Sequence, residues 1–224
     1  MARGSMATFA SASGQAQGFL VQPKARAGVV VIQEWWGLVP HVKDLAGRFA
    51  QAGYAALAPD LYHGKTTVEA EEAQHLMEGL DWGRAAGEIA SAAKHLREVE
   101  GVEKVGAVGF CMGGALSFIA ATQGSVDAFV AFYGFPPKGA APVEKIAVPG
   151  LAFYGESEGF FSIPDTKAWA EAQRKKGIEA EVVVYPGAGH AFMNDTRPTY
   201  VASAAKDAWG RTLAFFSKHL GGKS

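Results

Sequence analysis

The sequence predicts an α/β fold: a mostly parallel central sheet with helices on both faces, opened by an N-terminal antiparallel hairpin. Three observations carry this. From Val29 onward, short apolar runs alternate with segments of helical spacing. The first of those runs, Val29–Gln33, is continuously apolar, as in a strand buried on both faces. The glycine-rich pieces follow the runs, where the loops of such sheets gather.

Each element has its own signal. Thr8–Ala12 and Ala16–Val21 flank Gly14 and read as the hairpin. Val29–Gln33 is a buried strand. His41–Ala52 carries Val42, Leu45, Phe49 and Ala52 at helical spacing and stops at Gly53. Tyr54–Ala58 is a strand closed by Pro59 and Asp60. Val68–Gly79 and Ala85–Val99 read as helices, Lys104–Gly109 as a strand and Met112–Thr122 as a helix. Ala128–Tyr133 and Gly150–Gly155 are strands. Thr166–Lys176 is a helix ended by Gly177, Glu181–Tyr185 a strand, and Val201–Leu220 a final amphipathic helix. Met1–Met6 hold Arg-Gly-Ser ahead of a second Met and lack the apolar stretch of a signal peptide. They are set aside, which leaves one domain over residues 7–224.

Composition narrows the function. Of 224 residues, 49% are hydrophobic and 19% charged, which excludes general disorder. Net charge is −1, from 21 basic and 22 acidic residues, so nucleic acid and anionic membranes are not expected partners. No apolar run approaches the roughly 18 residues of a bilayer span. The single cysteine, Cys111, excludes an internal disulfide and a cysteine-based zinc site. A cytoplasmic setting is expected. No metal-ligand cluster and no dinucleotide fingerprint is present, and Gly109–Gly114 lacks the lysine of a phosphate loop, so no cofactor is expected.

Four loops carry chemistry. Gly109-Phe110-Cys111-Met112-Gly113-Gly114 follows a strand and opens a helix. This is the nucleophile-elbow pattern G-x-S-x-G with Cys in the Ser place. Pro186-Gly187-Ala188-Gly189-His190 follows the last predicted strand, where a general base would stand. The other histidines read as a helix start (His41) or as surface residues (His63, His75, His95, His219). Gly155-Glu156-Ser157-Glu158 follows the penultimate strand, where a triad acid belongs, and Glu158 and Glu156 compete for that role. Gln33-Glu34-Trp35-Trp36-Gly37 follows the first long strand, whose loop supplies an oxyanion-hole N–H in folds of this kind. A carboxylate between a buried strand and two tryptophans needs a partner, because burying a bare charge is costly. Glu34 could take the thiol proton of Cys111 or oppose its thiolate by like charge. Trp36, Tyr133, Phe135, Phe160 and Phe192 fall at or near strand ends and suggest an apolar, aromatic-lined pocket.

Gln-Glu-x-x-Gly (33–37), Pro-Asp-Leu-Tyr (59–62), Gly-x-Cys-x-Gly-Gly (109–114) and the loop 187–192 together resemble the dienelactone hydrolase family of the α/β-hydrolase superfamily. The resemblance spans nearly the whole chain. It implies cleavage of a small-molecule ester or lactone by a Cys–His–acid triad. Cys111 and His190 match the family residues. Glu34 matches a glutamate that helps activate the cysteine. Trp35 and Met112 match the two positions whose backbone N–H groups form the oxyanion hole. Two departures stand out. The family acid is Asp, and here Glu158 takes its place. Arginines are expected to hold a substrate carboxylate, yet Asn194 stands four residues after His190, Arg197 is off that position, and Val68–Leu80 holds no counterpart for the other arginine. A general carboxylesterase or thioesterase on small acyl substrates is therefore the alternative. A non-catalytic binding protein and a redox role for Cys111 are weaker ones. The redox role lacks a second cysteine to resolve a sulfenic acid.

Overall fold

The computed structural model describes residues 4–21, 25–98 and 100–221. The strands are β1 (Ser5–Ser11), β2 (Gly14–Val21), β3 (Ala27–Ile32), β4 (Ala55–Pro59), β5 (Lys104–Phe110), β6 (Ala128–Phe132), β7 (Gly150–Ser157) and β8 (Ala180–Gly189). The helices are α1 (Pro40–Gln51), α2 (Ala70–Glu78), α3 (Trp82–Glu98), α4 (Met112–Thr122), α5 (Ile163–Lys175) and α6 (Ala202–Leu220). A short 3₁₀ turn at Val143–Lys145 is an addition to the expected elements. Val99, the expected end of the third helix, lies outside the described residues, as do Met1–Arg3.

The eight strands form one sheet in the order β1-β2-β4-β3-β5-β6-β7-β8. The β1–β2 and β2–β4 pairs are antiparallel, and every other pair is parallel. The mixed α/β class read from the sequence is therefore the observed one. β1 opens at Ser5 and pairs it with Leu20, so the sheet begins two residues ahead of the expected domain start.

All of β3, β4 and β6 is buried, which is why their sequences are unbroken apolar runs. α4 is buried from Met112 to Ala121, as expected of a helix apolar all round. Strand order reverses between β3 and β5. Ligands of open α/β sheets bind outside the carboxyl ends at such a switch point. Glu34 follows β3 and Cys111 follows β5, so the switch point gathers two of the four candidate loops. Among the histidines, His41 is buried in the first turn of α1. His95 and His219 are half-buried against Phe9 and Phe215, at 5.6 and 4.6 Å between ring centroids, rather than free on the surface.

Candidate active site

Cys111 joins β5 to α4 with φ 55° and ψ −117°. A side chain held at positive φ costs about 1–3 kcal/mol, so the surroundings must impose it. They do so through the backbone. The Cys111 N–H donates to the Phe132 carbonyl at 3.0 Å, and the Cys111 carbonyl accepts from the Ala115 N–H at 3.2 Å. The glycines of the motif are a packing demand. A Cβ on Gly109 would stand 1.8 Å from the Gly113 carbonyl oxygen, and one on Gly113 would stand 2.5 Å from that of Gln33. The backbone N–H groups of Met112 and Trp35 both draw the Cys111 thiol down, against the burial that pushes it up. Two amides from loops far apart in the chain thus act on one thiol.

His190 sits directly after β8, and Glu158 directly after β7. A register shift between Gly155 and Ser157 brings Ser157 opposite Gly189. The residue following each is then Glu158 on one strand and His190 on its neighbour. Bulges re-aim side chains in this way beside active sites. His190 Nδ1 lies 2.9 and 3.1 Å from the two Glu158 oxygens. The Glu158 side chain is fully buried, while His190 keeps 19% exposure. Glu158 Oε1 also accepts from the Phe160 N–H at 2.8 Å. Glu156 points elsewhere: it is exposed, and its carboxylate accepts from the Gly187 N–H at 3.1 Å.

Glu34 is buried beside this group. Its Oε1 accepts from the Tyr133 hydroxyl at 3.2 Å and its Oε2 from the Asn194 side-chain amide at 2.6 Å. Burial pushes the Glu34 carboxyl above the usual range, and those two hydrogen bonds with the charges of His190 and Arg197 oppose the rise. Burial likewise pushes the Cys111 thiol up, and the Glu34 charge adds to it, against the pull of the Met112 and Trp35 N–H groups. Both Glu34 oxygens are thus engaged by Tyr133 and Asn194, and its charge acts against the thiolate. The loop carrying Asn194 is tied down by Asp195, which pairs with Arg48 at 2.5 Å and lies 3.2 Å from His41 Nδ1.

A cavity of about 550 Å³ opens over Cys111 and His190. Of the expected lining residues, Trp36 and Phe160 border it, together with Glu34 and Trp35. Three expectations are corrected. Tyr133 is wholly buried, holding Glu34 by its hydroxyl and meeting the His190 ring edge-on at 5.0 Å. Phe192 is wholly buried against Tyr185 and Tyr133, at 5.2 and 5.6 Å, so it anchors the His190 loop rather than the cavity. Phe135 packs on Phe118 at 5.0 Å and borders a separate cavity with Trp169, because that aromatic cluster draws its ring away. Arg197, set aside in the sequence as off the family position, borders the cavity, as do Phe161 and the α2 residues Gln74, Met77 and Glu78, which the sequence did not single out. The Arg197 guanidinium lies 3.8 Å above the Trp36 ring. An aromatic pair at Phe160-Phe161 beside Glu158 was the available clue.

Among the described residues, no group of three or more His, Cys, Asp or Glu is arranged to hold a metal, and no helix is long and apolar enough to cross a membrane.

A parallel sheet flanked by helices, a strained residue at a strand–helix elbow, and an acid–histidine pair on the last two strand ends define an α/β-hydrolase fold. Within that class the assignment is specific. Residues 16–220 match the dienelactone hydrolase family, and the chain belongs to it. Protein usf of Aquifex pyrophilus is 35% identical over 229 residues, covering 97% of this chain and 99% of that protein. A Synechocystis protein provisionally named a carboxymethylenebutenolidase is 32% identical over 230 residues, covering 92% of this chain and 93% of its own. The dienelactone hydrolase-like promiscuous phosphotriesterase P91, from metagenomic libraries, superposes with a TM-score of 0.82 at 26% identity, covering 97% of this chain and 99% of that one.

Proposed function

We propose that the protein hydrolyses an ester or lactone bond with Cys111 as nucleophile, His190 as general base and Glu158 as the acid that orients it. The observation that carries this is Cys111 held at positive φ on a strand–helix elbow, in a cavity shared with a histidine whose Nδ1 is held by a buried carboxylate. With Nδ1–H donated to Glu158, the other imidazole nitrogen is left to accept a proton.

The Cys111 thiol gives its proton to His190 Nε2 as the sulfur attacks the carbonyl carbon. The carbonyl oxygen takes the negative charge, and the Met112 and Trp35 N–H groups, both of which act on the Cys111 thiol, bind it. His190 returns the proton to the departing oxygen, leaving a thioester. Water attacks that thioester with His190 as base, which frees the carboxylic acid and restores the thiol. Glu158 stabilises the imidazolium at both stages. Burial, with the Glu34 charge added to it, favours the Cys111 thiol over the thiolate, so in this reading the proton leaves as the sulfur attacks.

A second reading is a general carboxylesterase or thioesterase. Asn194 is engaged with Glu34, and α2 offers Gln74, Met77 and Glu78 to the cavity rather than an arginine. Both readings are tested by hydrolysis of a short-chain aryl ester and of dienelactone, using wild type, Cys111→Ser and Cys111→Ala. Loss of turnover in Cys111→Ala is expected, and turnover that survives it removes Cys111 as nucleophile. The ester-to-lactone ratio of the wild type separates the two readings.

A further inference from the structure

Phe160 is 73% exposed, the most exposed large hydrophobic side chain among the described residues. Leaving it there forgoes most of what burying a phenyl ring gains. Its backbone alone serves the site by donating to Glu158, a task that any residue other than proline could perform. Its ring stands 4.7 Å from the His190 ring and borders the Cys111 cavity. Phe161 follows at 6.0 Å from the same imidazole, and Trp36 and Met77 add further apolar wall.

The polar groups of the wall are largely spoken for. Gln74 donates to Glu78 at 2.7 Å, and the Arg197 guanidinium lies face-on over Trp36. What remains for recognition beside the reacting atoms is aromatic surface. A ring laid on Phe160 would remove it from water and gain the additional attraction of an aromatic pair. The cavity volume, about 550 Å³, is within the range of small-molecule sites.

We propose that Phe160 is a specificity-determining residue that seats an aromatic ring of the substrate next to the scissile bond, so that the protein favours aryl or aralkyl esters over small aliphatic ones. This rests on the hydrolytic reading above and names its substrate class.

The test uses two matched pairs of esters: benzyl acetate against ethyl acetate, and ethyl phenylacetate against ethyl acetate. Wild type, Phe160→Ala and Phe160→Tyr are compared by kcat/KM. In at least one pair, the ratio of ring-bearing to ringless ester should fall about tenfold in Phe160→Ala and return in Phe160→Tyr. The pH profile of kcat/KM should stay put. Ratios within about twofold of wild type in both pairs overturn the proposal. Equal losses on all esters with a displaced pH profile also overturn it, since they would mean that Phe160 only props Glu158. If wild type turns over none of these esters, the ring seat is read by tryptophan fluorescence, and the hydrolytic reading itself fails only if the aryl ester and dienelactone are also left intact. Trp35 and Trp36 border the cavity and report on binding. Saturable quenching by benzyl alcohol, weakened about tenfold in Phe160→Ala, would retain the seat, and its absence in wild type would remove it.

Discussion

Asn194 reaches back across 160 positions of sequence to donate its side-chain amide to Glu34 at 2.6 Å, inside the protein. The bond joins the loop after β8 to the loop after β3. It gives a buried carboxylate one of its two side-chain donors, the other being Tyr133. Removing the donor leaves an oxygen of a nearly fully buried carboxylate without that partner. Asn194→Ala should therefore lower stability by about 1–3 kcal/mol, read as a shift in the urea midpoint. Asn194→Asp should cost more, because it sets a second carboxylate against the first. Wild-type stability in both variants would refute the structural role of this bond.

Glu34 also makes stability depend on pH in a stated direction. Burial raises its carboxyl above the ordinary range. For a group raised by folding, the stabilising share is present at low pH and is lost as pH climbs through the raised value. Glu34→Gln lacks that loss. Thermal midpoints of wild type and variant should diverge as pH rises from the ordinary carboxylate range, with wild type falling relative to Glu34→Gln. A constant difference across pH would contradict the rise.

The same substitution reports on the thiol. The Glu34 charge is the largest cause after burial that pushes Cys111 up. Near neutral pH, iodoacetamide should label wild-type Cys111 more slowly than glutathione, since the thiolate is the reactive form. Glu34→Gln should label several-fold faster than wild type. Slower labelling in the variant would instead mean that Glu34 takes the thiol proton.

Glu158 and Glu156 are two residues apart and should differ sharply. Glu158 pairs with His190, whereas Glu156 faces solvent. If Glu158 orients the imidazole, Glu158→Gln should reduce kcat by about 10²–10⁴-fold, as loss of the orienting carboxylate does in triads. Glu156→Gln should remain within about threefold of wild type, the range of an exposed substitution away from a site. Comparable losses in the two variants would dissolve the assignment.

Gly134 is a packing test of the elbow. A Cβ there would stand 2.2 Å from the Cys111 carbonyl oxygen and 2.6 Å from the Ala115 nitrogen, both backbone atoms that cannot swing aside. Gly134→Ala should cost at least about 3 kcal/mol and reduce soluble yield. A variant with a wild-type melting curve would mean that the elbow is looser than its contacts imply.

Much of this molecule is written locally. The α4 boundaries, Met112–Thr122, follow from the elbow and the apolar run after it. The buried strands announce themselves because a strand covered on both faces has no polar positions to spare. The elbow glycines are legible because the crowding they relieve lies within a few residues of Cys111 and always falls at the same offsets. His190 could be picked from six histidines because it alone follows a late strand in a glycine-rich loop.

Only the tertiary structure decided which side chains meet. Glu158 rather than Glu156 faces His190 because the β7–β8 register moves on by two residues between the Gly155–Tyr185 and Ser157–Gly189 pairs, which sets the residue after Ser157 beside the residue after Gly189. Phe161 borders the cavity and Phe135 does not, because Phe135 is claimed by Phe118 on α4. Asn194 looked like a missing arginine and is instead a hydrogen-bond partner of Glu34. Strand order places their loops side by side, and spacing along the chain carries no record of it. Local sterics set the geometry of Cys111, while sheet topology and register set its neighbours.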